Sequence, residues 1–90
     1  MSEDEGWRLE IAPRAQRDFR RLDPPIQRRI LTAIEGLIEA PPRGDFRRLT
    51  GRDDEWRLRV GDWRVRFSRD AKEQVVSIQR ILPRGRAYER

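Results

Sequence analysis

This chain of 90 residues has no cysteine, no histidine, one tyrosine and a single lysine, Lys72, among its 21 basic side chains. Without cysteine there is no disulfide framework and no thiolate nucleophile, and without histidine the usual donors of a zinc site are missing too, so no metal or cofactor is expected. The missing histidine also removes the side chain that most often moves protons near neutral pH, which excludes a Glu/His ribonuclease pair. No stretch approaches 18 apolar residues and no basic, apolar, small-residue leader opens the sequence. Neither a membrane span nor a secretory signal is therefore expected, and the reading is a cytoplasmic protein without a membrane partner.

Arginine is what the chain has in abundance, twenty of them, in a composition that is 41% charged and 36% hydrophobic. That is polar for a folded domain, but the apolar residues recur periodically, which a disordered chain lacks. The net charge of +5 is uneven. Residues 1–40 hold seven arginines and eight acids, a net −1, whereas residues 41–90 hold thirteen arginines, Lys72 and eight acids, a net +6. A cationic half of this kind attracts nucleic acid or an acidic partner.

Residues 1–6, with three acids, read as a disordered terminus, and residues 7–90 as one domain. Trp7 to Ile11 alternates as a strand. Ala15, Phe19 and Leu22 then recur at helical spacing after Pro13, and Asp23 with Pro24 and Pro25 opens a second helix whose stripe is Ile26, Ile30, Ile34, Leu37 and Ile38, ending near Glu39. The short connection predicts a helical hairpin. Strands follow at Phe46 to Leu49, Trp56 to Val60, Trp63 to Phe67 and Val75 to Ile81, with Gly51 in a loop. The expected class is α+β: an N-terminal strand, a helical hairpin and a mostly antiparallel, twisted sheet. Trp7, Trp56 and Trp63 alternate with apolar residues and so belong to the helix-covered face.

Residues 56–67 carry the most specific signal. A two-residue Gly61-Asp62 turn places Val60 opposite Trp63, Leu58 opposite Val65 and Trp56 opposite Phe67 on one face. Arg59 then meets Arg64, and Arg57 meets Arg66, on the other. Like-charged cross-strand pairs destabilise a sheet by roughly 0.2–1 kcal/mol each, so the pattern makes sense where a polyanion supplies the missing charge. A solubilising surface is the plainer alternative. Glu35 and Glu39, one turn apart on a helix flank, read as a solvated pair. Arginines can hold a phosphodiester and stabilise its transition state without transferring a proton, and Tyr88 is the only tyrosine able to serve as acid, base or stacking group.

Three segments together resemble the RelE/ParE superfamily of bacterial and archaeal toxins from toxin-antitoxin operons: Leu49-Thr50-Gly51, the run from Trp56 to Arg64, and the tail from Leu82 to Tyr88, which is similar to the archaeal RelE branch. The resemblance covers about residues 7–88 and implies a RelE-like, microbial ribonuclease-like sheet. It also implies a ribosome-dependent messenger-RNA endoribonuclease acting in the ribosomal A site and silenced by a RelB-like antitoxin. By motif position, Arg57, Arg64, Arg84 and Tyr88 take the catalytic places and Arg43 and Arg59 RNA-binding ones; Arg66, on the same hairpin face, and Arg86, in the tail, are expected to bind RNA with them, and Arg84 to close one edge of the face. The positions of Arg57 and Arg59 are lysines in the best-known bacterial RelE pattern, and an arginine hardly serves as a base where a lysine can. A ParE-like toxin acting on gyrase without nuclease activity, or a non-catalytic RNA-binding module, are the other classes the sequence allows. If about four phosphates of a single strand are engaged, the slope of log affinity against log salt is near −3, roughly a fiftyfold loss between 50 and 200 mM; salt-insensitive binding contradicts a phosphate grip.

Overall fold

The computed structural model describes residues 7–49 and 54–86. The disordered N-terminus expected over residues 1–6, the loop glycine Gly51 and the tail residue Tyr88 lie outside them. In chain order the elements are β1 (Arg8–Ile11), α1 (Pro13–Arg20), α2 (Pro24–Leu37), β2 (Asp45–Arg48), β3 (Glu55–Val60), β4 (Trp63–Asp70), β5 (Val75–Pro83) and a short 3-10 turn, η1 (Arg84–Arg86). The strands form one five-stranded sheet in the order β1-β5-β4-β3-β2, antiparallel except for the parallel pair of β1 and β5. It is the α+β architecture that the periodicity predicts.

Prolines start both helices at the first positions, where a missing N–H costs nothing. Asp23 stands at the N-cap of α2, but its side chain makes no capping bond; its carbonyl accepts from the Gln27 N–H at 2.9 Å. Asp23 thus opens the helix by position only. Gln27 Nε2 instead donates to the Phe19 carbonyl at 2.9 Å, tying α2 back to α1. α2 stops at Leu37, two residues short of Glu39, and Gly36 is why the chain can turn there. Arg43 N–H donates to the Gly36 carbonyl at 2.8 Å, and a Cβ on Gly36 would stand 3.0 Å from the Arg43 carbonyl oxygen.

The helices cover one face of the sheet. Ala15, Ile30, Ile34 and Leu37 meet Leu58, Val65, Phe67, Val76, Ile78 and Ile81, all at 3% exposure or less. Trp7, Trp56 and Trp63 pack partly buried against this core, as the alternation predicts. Trp56 stacks on Phe67 with centroids 6.3 Å apart, and Phe46 meets both edge-on.

Gly61 has φ +58° while Asp62 stays out of the left-handed region, the pattern of a type II′ turn. The register of β3 and β4 follows: Val60 with Trp63, Leu58 with Val65, Trp56 with Phe67, and Arg59 with Arg64, Arg57 with Arg66. Between β4 and β5 the register shifts, pairing Phe67 with Ile78 but Arg66 with Arg80, so Gln79 is the extra residue of a bulge. The bulge keeps Ile78 and Ile81 both buried although they stand three positions apart, an odd spacing that would put them on opposite faces of a regular strand.

One polar anchor joins helix to sheet. Asp18 in α1 accepts from Arg80 Nε at 2.8 Å and the Ile81 N–H at 2.9 Å through Oδ2, and from Arg80 Nη2 at 3.2 Å through Oδ1. Burial pushes the Asp18 carboxyl up, but the Arg80 hydrogen bond, the Ile81 N–H and the charges of Arg80 and Arg14 together hold it below its ordinary value. A carboxyl lowered on folding stabilises the native state fully above its unfolded pKa and loses that contribution as pH falls through the folded value. Asp18→Asn is therefore expected to cost about 1–3 kcal/mol at neutral pH, lowering the thermal midpoint. The gap to the parent chain should narrow on acidification below about pH 4, in a thermal series followed by circular dichroism. A gap that widens in acid contradicts the anchor.

Candidate nucleic-acid interface

The sheet face turned away from the helices is built from arginine by register. Arg47 on β2 lies opposite Arg57 on β3, which lies opposite Arg66 on β4, which lies opposite Arg80 on β5. Adjacent strands are about 4.8 Å apart, so four guanidinium-bearing positions follow one another along a single rung. The next rung reads Asp45, Arg59, Arg64 and Leu82. Strict alternation of apolar and charged residues along β3 and β4 produces this, because each apolar residue taken by the core sends its neighbours to the opposite face.

Not all of these cations are available. Arg59 is paired to Asp45 at 2.7 Å and Arg66 to Glu55 at 3.0 Å. Arg80, at the end of the rung, is held by Asp18. The expectation of a face with no countercharge is corrected accordingly, since Arg59 and Arg66 each meet a carboxylate of the chain itself. Both acids flank a core aromatic, Asp45 before Phe46 and Glu55 before Trp56, and the same alternation that exposes the arginines exposes them.

What remains is a hollow of about 160 Å³ lined by Asp45, Arg47, Arg57, Arg59 and Arg64. Arg57 lies at its heart: burial and then the charges of Arg47, Arg64 and Arg59 push its guanidinium below the ordinary arginine range, opposed only in part by Asp45. Neighbouring positive charges are the part of that environment an anion would relieve. Arg64 is set by its own turn, with Nη1 donating to the carbonyls of Gly61 and Trp63, each at 2.9 Å. Arg47 makes no ion pair or side-chain hydrogen bond among the described residues. The sequence reading did not single it out, although the step from Phe46 to Arg47 carries the same alternation as the hairpin.

The other candidate positions fall into three groups. Arg84 begins η1, and its N–H donates to the Asp62 carbonyl at 2.8 Å, so its backbone is fixed beside the hairpin turn, next to Arg64. That puts it at the end of the strands, since the lateral edges belong to β1 and β2. Arg43 is kept from the hollow by Glu39: Nε and Nη2 grip the two carboxylate oxygens at 2.7 and 2.8 Å. The grip raises Arg43 and lowers Glu39 from their ordinary values, each chiefly through that hydrogen bond. Glu39 is thus an arginine clamp and not half of a carboxylate pair with Glu35. Arg86 is the last residue of η1. Among the described residues no cluster of three or more acids is arranged to hold a metal ion, and no helix is long and apolar enough to cross a membrane.

Convergent cations with a single carboxylate, Asp45, at the rim can bind an anion and stabilise and align its charge. The family described as the ParE toxin of type II toxin-antitoxin systems matches residues 9–88. A protein of Methanocaldococcus jannaschii named as toxin RelE1 is 29% identical over 86 residues, covering 92% of this chain and 96% of its own length. The archaeal RelE-RelB complex from Pyrococcus horikoshii contains a chain 33% identical, with a TM-score of 0.77, covering 91% of this chain and 99% of that one. The isolated E. coli RelE toxin, 16% identical with a TM-score of 0.74 over 86% of this chain and 83% of its own, shares the fold. With a family match across nearly the whole length and an archaeal RelE at one-third identity, this chain belongs to the ParE toxin family of type II toxin-antitoxin systems and is a RelE-type toxin.

Proposed function

We propose that this toxin is a ribosome-dependent endoribonuclease that cuts messenger RNA in the ribosomal A site. The observation that carries the reading is the hollow in which Arg47, Arg57 and Arg64 converge, with Arg84 anchored beside it. In the reaction the RNA's own 2′-oxygen attacks the adjacent phosphorus, the bond to the 5′-oxygen breaks, and a cyclic phosphate and a 5′-hydroxyl result. Protein side chains need only hold the three centres in line and stabilise the added negative charge, contributions worth several kcal/mol. In this reading Arg57 and Arg64 contact the phosphate and Arg84 the leaving side. Tyr88 is the candidate for proton transfer or stacking, since arginine remains protonated. Arg59, Arg66, Arg43 and Arg86 supply the surrounding positive field, Arg59 in exchange for Asp45, while Arg66 and Arg43 keep Glu55 and Glu39.

A RelB-like antitoxin is the proposed regulator. Several solved relatives are RelE-RelB complexes, and a strongly cationic toxin suits an acidic partner segment. A gyrase-directed activity is the second reading, favoured by the ParE description of the matching family. Adding the purified chain to translating ribosomes and to gyrase separates the two: messenger breaks at the A site support cleavage, and trapped DNA breaks support the alternative.

Within the cleavage reading, Arg64→Ala and Arg84→Ala are each expected to lower single-turnover cleavage on programmed ribosomes by at least a hundredfold. Their thermal midpoints should stay within about 4 °C of the parent. Full activity in either variant removes the hollow from the reaction. Asp45→Asn tests the charge balance from the other side. Removing the one carboxylate at the rim releases Arg59, so binding of a short, uncleavable single-stranded RNA at 100 mM salt should tighten severalfold and its salt slope steepen by about 0.7. Weaker binding would mean that Asp45 holds the site together.

A further inference from the structure

The helical layer carries a second set of cations that the sheet face does not account for. Arg14, Arg17 and Arg20 in α1, Arg21 at its C-cap, and Arg28 and Arg29 in α2 are all exposed. Among the described residues none of the six makes a side-chain hydrogen bond or an ion pair. Arg14 stands within electrostatic reach of Asp18, but both oxygens of that carboxylate are taken by Arg80 and Ile81. Helix stability explains only part of this placement. Arg17 and Arg20 suit the C-terminal turn of α1, whereas Arg14 sits in its first turn and Arg28 and Arg29 lie just beyond the first turn of α2, where the helix dipole opposes positive charge. Neither first turn contains an acid to offset it.

We propose that this helical surface is a second RNA-binding surface, one that grips the phosphate backbone of base-paired, folded RNA while the sheet face takes a single strand. The choice of occupant follows from what accompanies the arginines. The helical surface offers unpaired bases no aromatic platform to stack on, the only exposed large hydrophobic side chain among the described residues being Leu31. Exposed helical cations without stacking groups suit a duplex read by backbone and shape. The two surfaces also meet. Arg29 lies against the hairpin turn, its Nη2 standing 2.7 Å from where a Cβ on Gly61 would be, and that turn is held on its other sides by Arg64 and by the backbone of Arg84. A belt of positive charge therefore runs from the helices around the turn to the hollow.

The inference rests on the reading of the chain as an RNA-directed toxin, but its test does not need cleavage. The full chain and a variant combining Arg14→Gln, Arg17→Gln, Arg21→Gln and Arg28→Gln are titrated at 150 mM salt with a blunt 16-base-pair RNA duplex, a short single-stranded RNA and polyglutamate. Glutamine keeps the helix propensity of arginine, and at this salt charges farther apart than about 8 Å are largely screened. The variant should lose at least tenfold in duplex affinity, with a salt slope shallower by about 3, and should keep single-strand affinity within about threefold. Arg57→Gln combined with Arg64→Gln should show the reverse pattern. Equal losses for both RNAs, unchanged duplex binding, or polyglutamate held more tightly than the duplex through these four residues would each overturn the proposal. A parent chain that leaves messenger intact on ribosomes yet shows the predicted pattern supports the second surface and overturns the cleavage reading alone.

Discussion

Gly61 adopts φ +58°, and the two-residue loop this permits locks β3 against β4 in one register. A slip of one residue would exchange every apolar side chain of the hairpin for an arginine, so the buried set of Leu58, Val65 and Phe67 holds that register in place. Each of those side chains contributes about 1.5–3 kcal/mol on burial, whereas each like-charged rung on the reverse face costs roughly 0.2–1 kcal/mol. The core therefore decides the fold, and the open face is at liberty to carry an arrangement that is unfavourable by itself. That surplus is what the chain offers to an anion.

The carboxylates refine this picture without cancelling it. Asp45 and Glu55 engage Arg59 and Arg66 at the margins, and Asp18 takes Arg80 away to α1, while Arg47 and Arg64 meet no carboxylate among the described residues. The ion pair of Arg59 with Asp45 is more than half exposed on the arginine side, and exposed pairs of this kind are worth about 0–1 kcal/mol. A phosphodiester can compete for such a cation. Arg66 and Glu55 are both about one-fifth exposed and are tighter partners, which makes Arg66 more a support of the face than a mobile ligand contact.

Much of this was legible before any coordinates, and what was not has identifiable causes. The hairpin register follows from a two-residue loop beginning with glycine, and the tryptophans follow from their period of two. The bulge at Gln79 was not legible, because the adjacent apolar pairs Val75-Val76 and Ile81-Leu82 already break the alternation of that strand. Arg47 and Asp45 were within reach of the same alternation around Phe46, but β2 is short and its pairing with β3 depends on a loop whose path the local pattern does not determine. The bond from Asp18 to Arg80 joins residues 62 apart, and the parallel pairing of β1 with β5 closes nearly the whole chain; neither has a local signature. Arg43 illustrates the opposite case. Motif position assigned it to RNA, whereas its geometry gives it to Glu39, because an arginine four residues beyond a glutamate at a helix end finds that carboxylate first.

The central claim is that guanidinium groups brought together by strand register form one phosphodiester-binding hollow. It is tested most directly by following the arginine Nε–Hε resonances of the full chain during titration with a short 2′-O-methyl RNA, which cannot be cut. Saturable shifts with a common midpoint at Arg47, Arg57 and Arg64, together with an unmoved Arg43, are the predicted result. Shifts that spread evenly over all exposed arginines, or that leave those three unchanged, would contradict it.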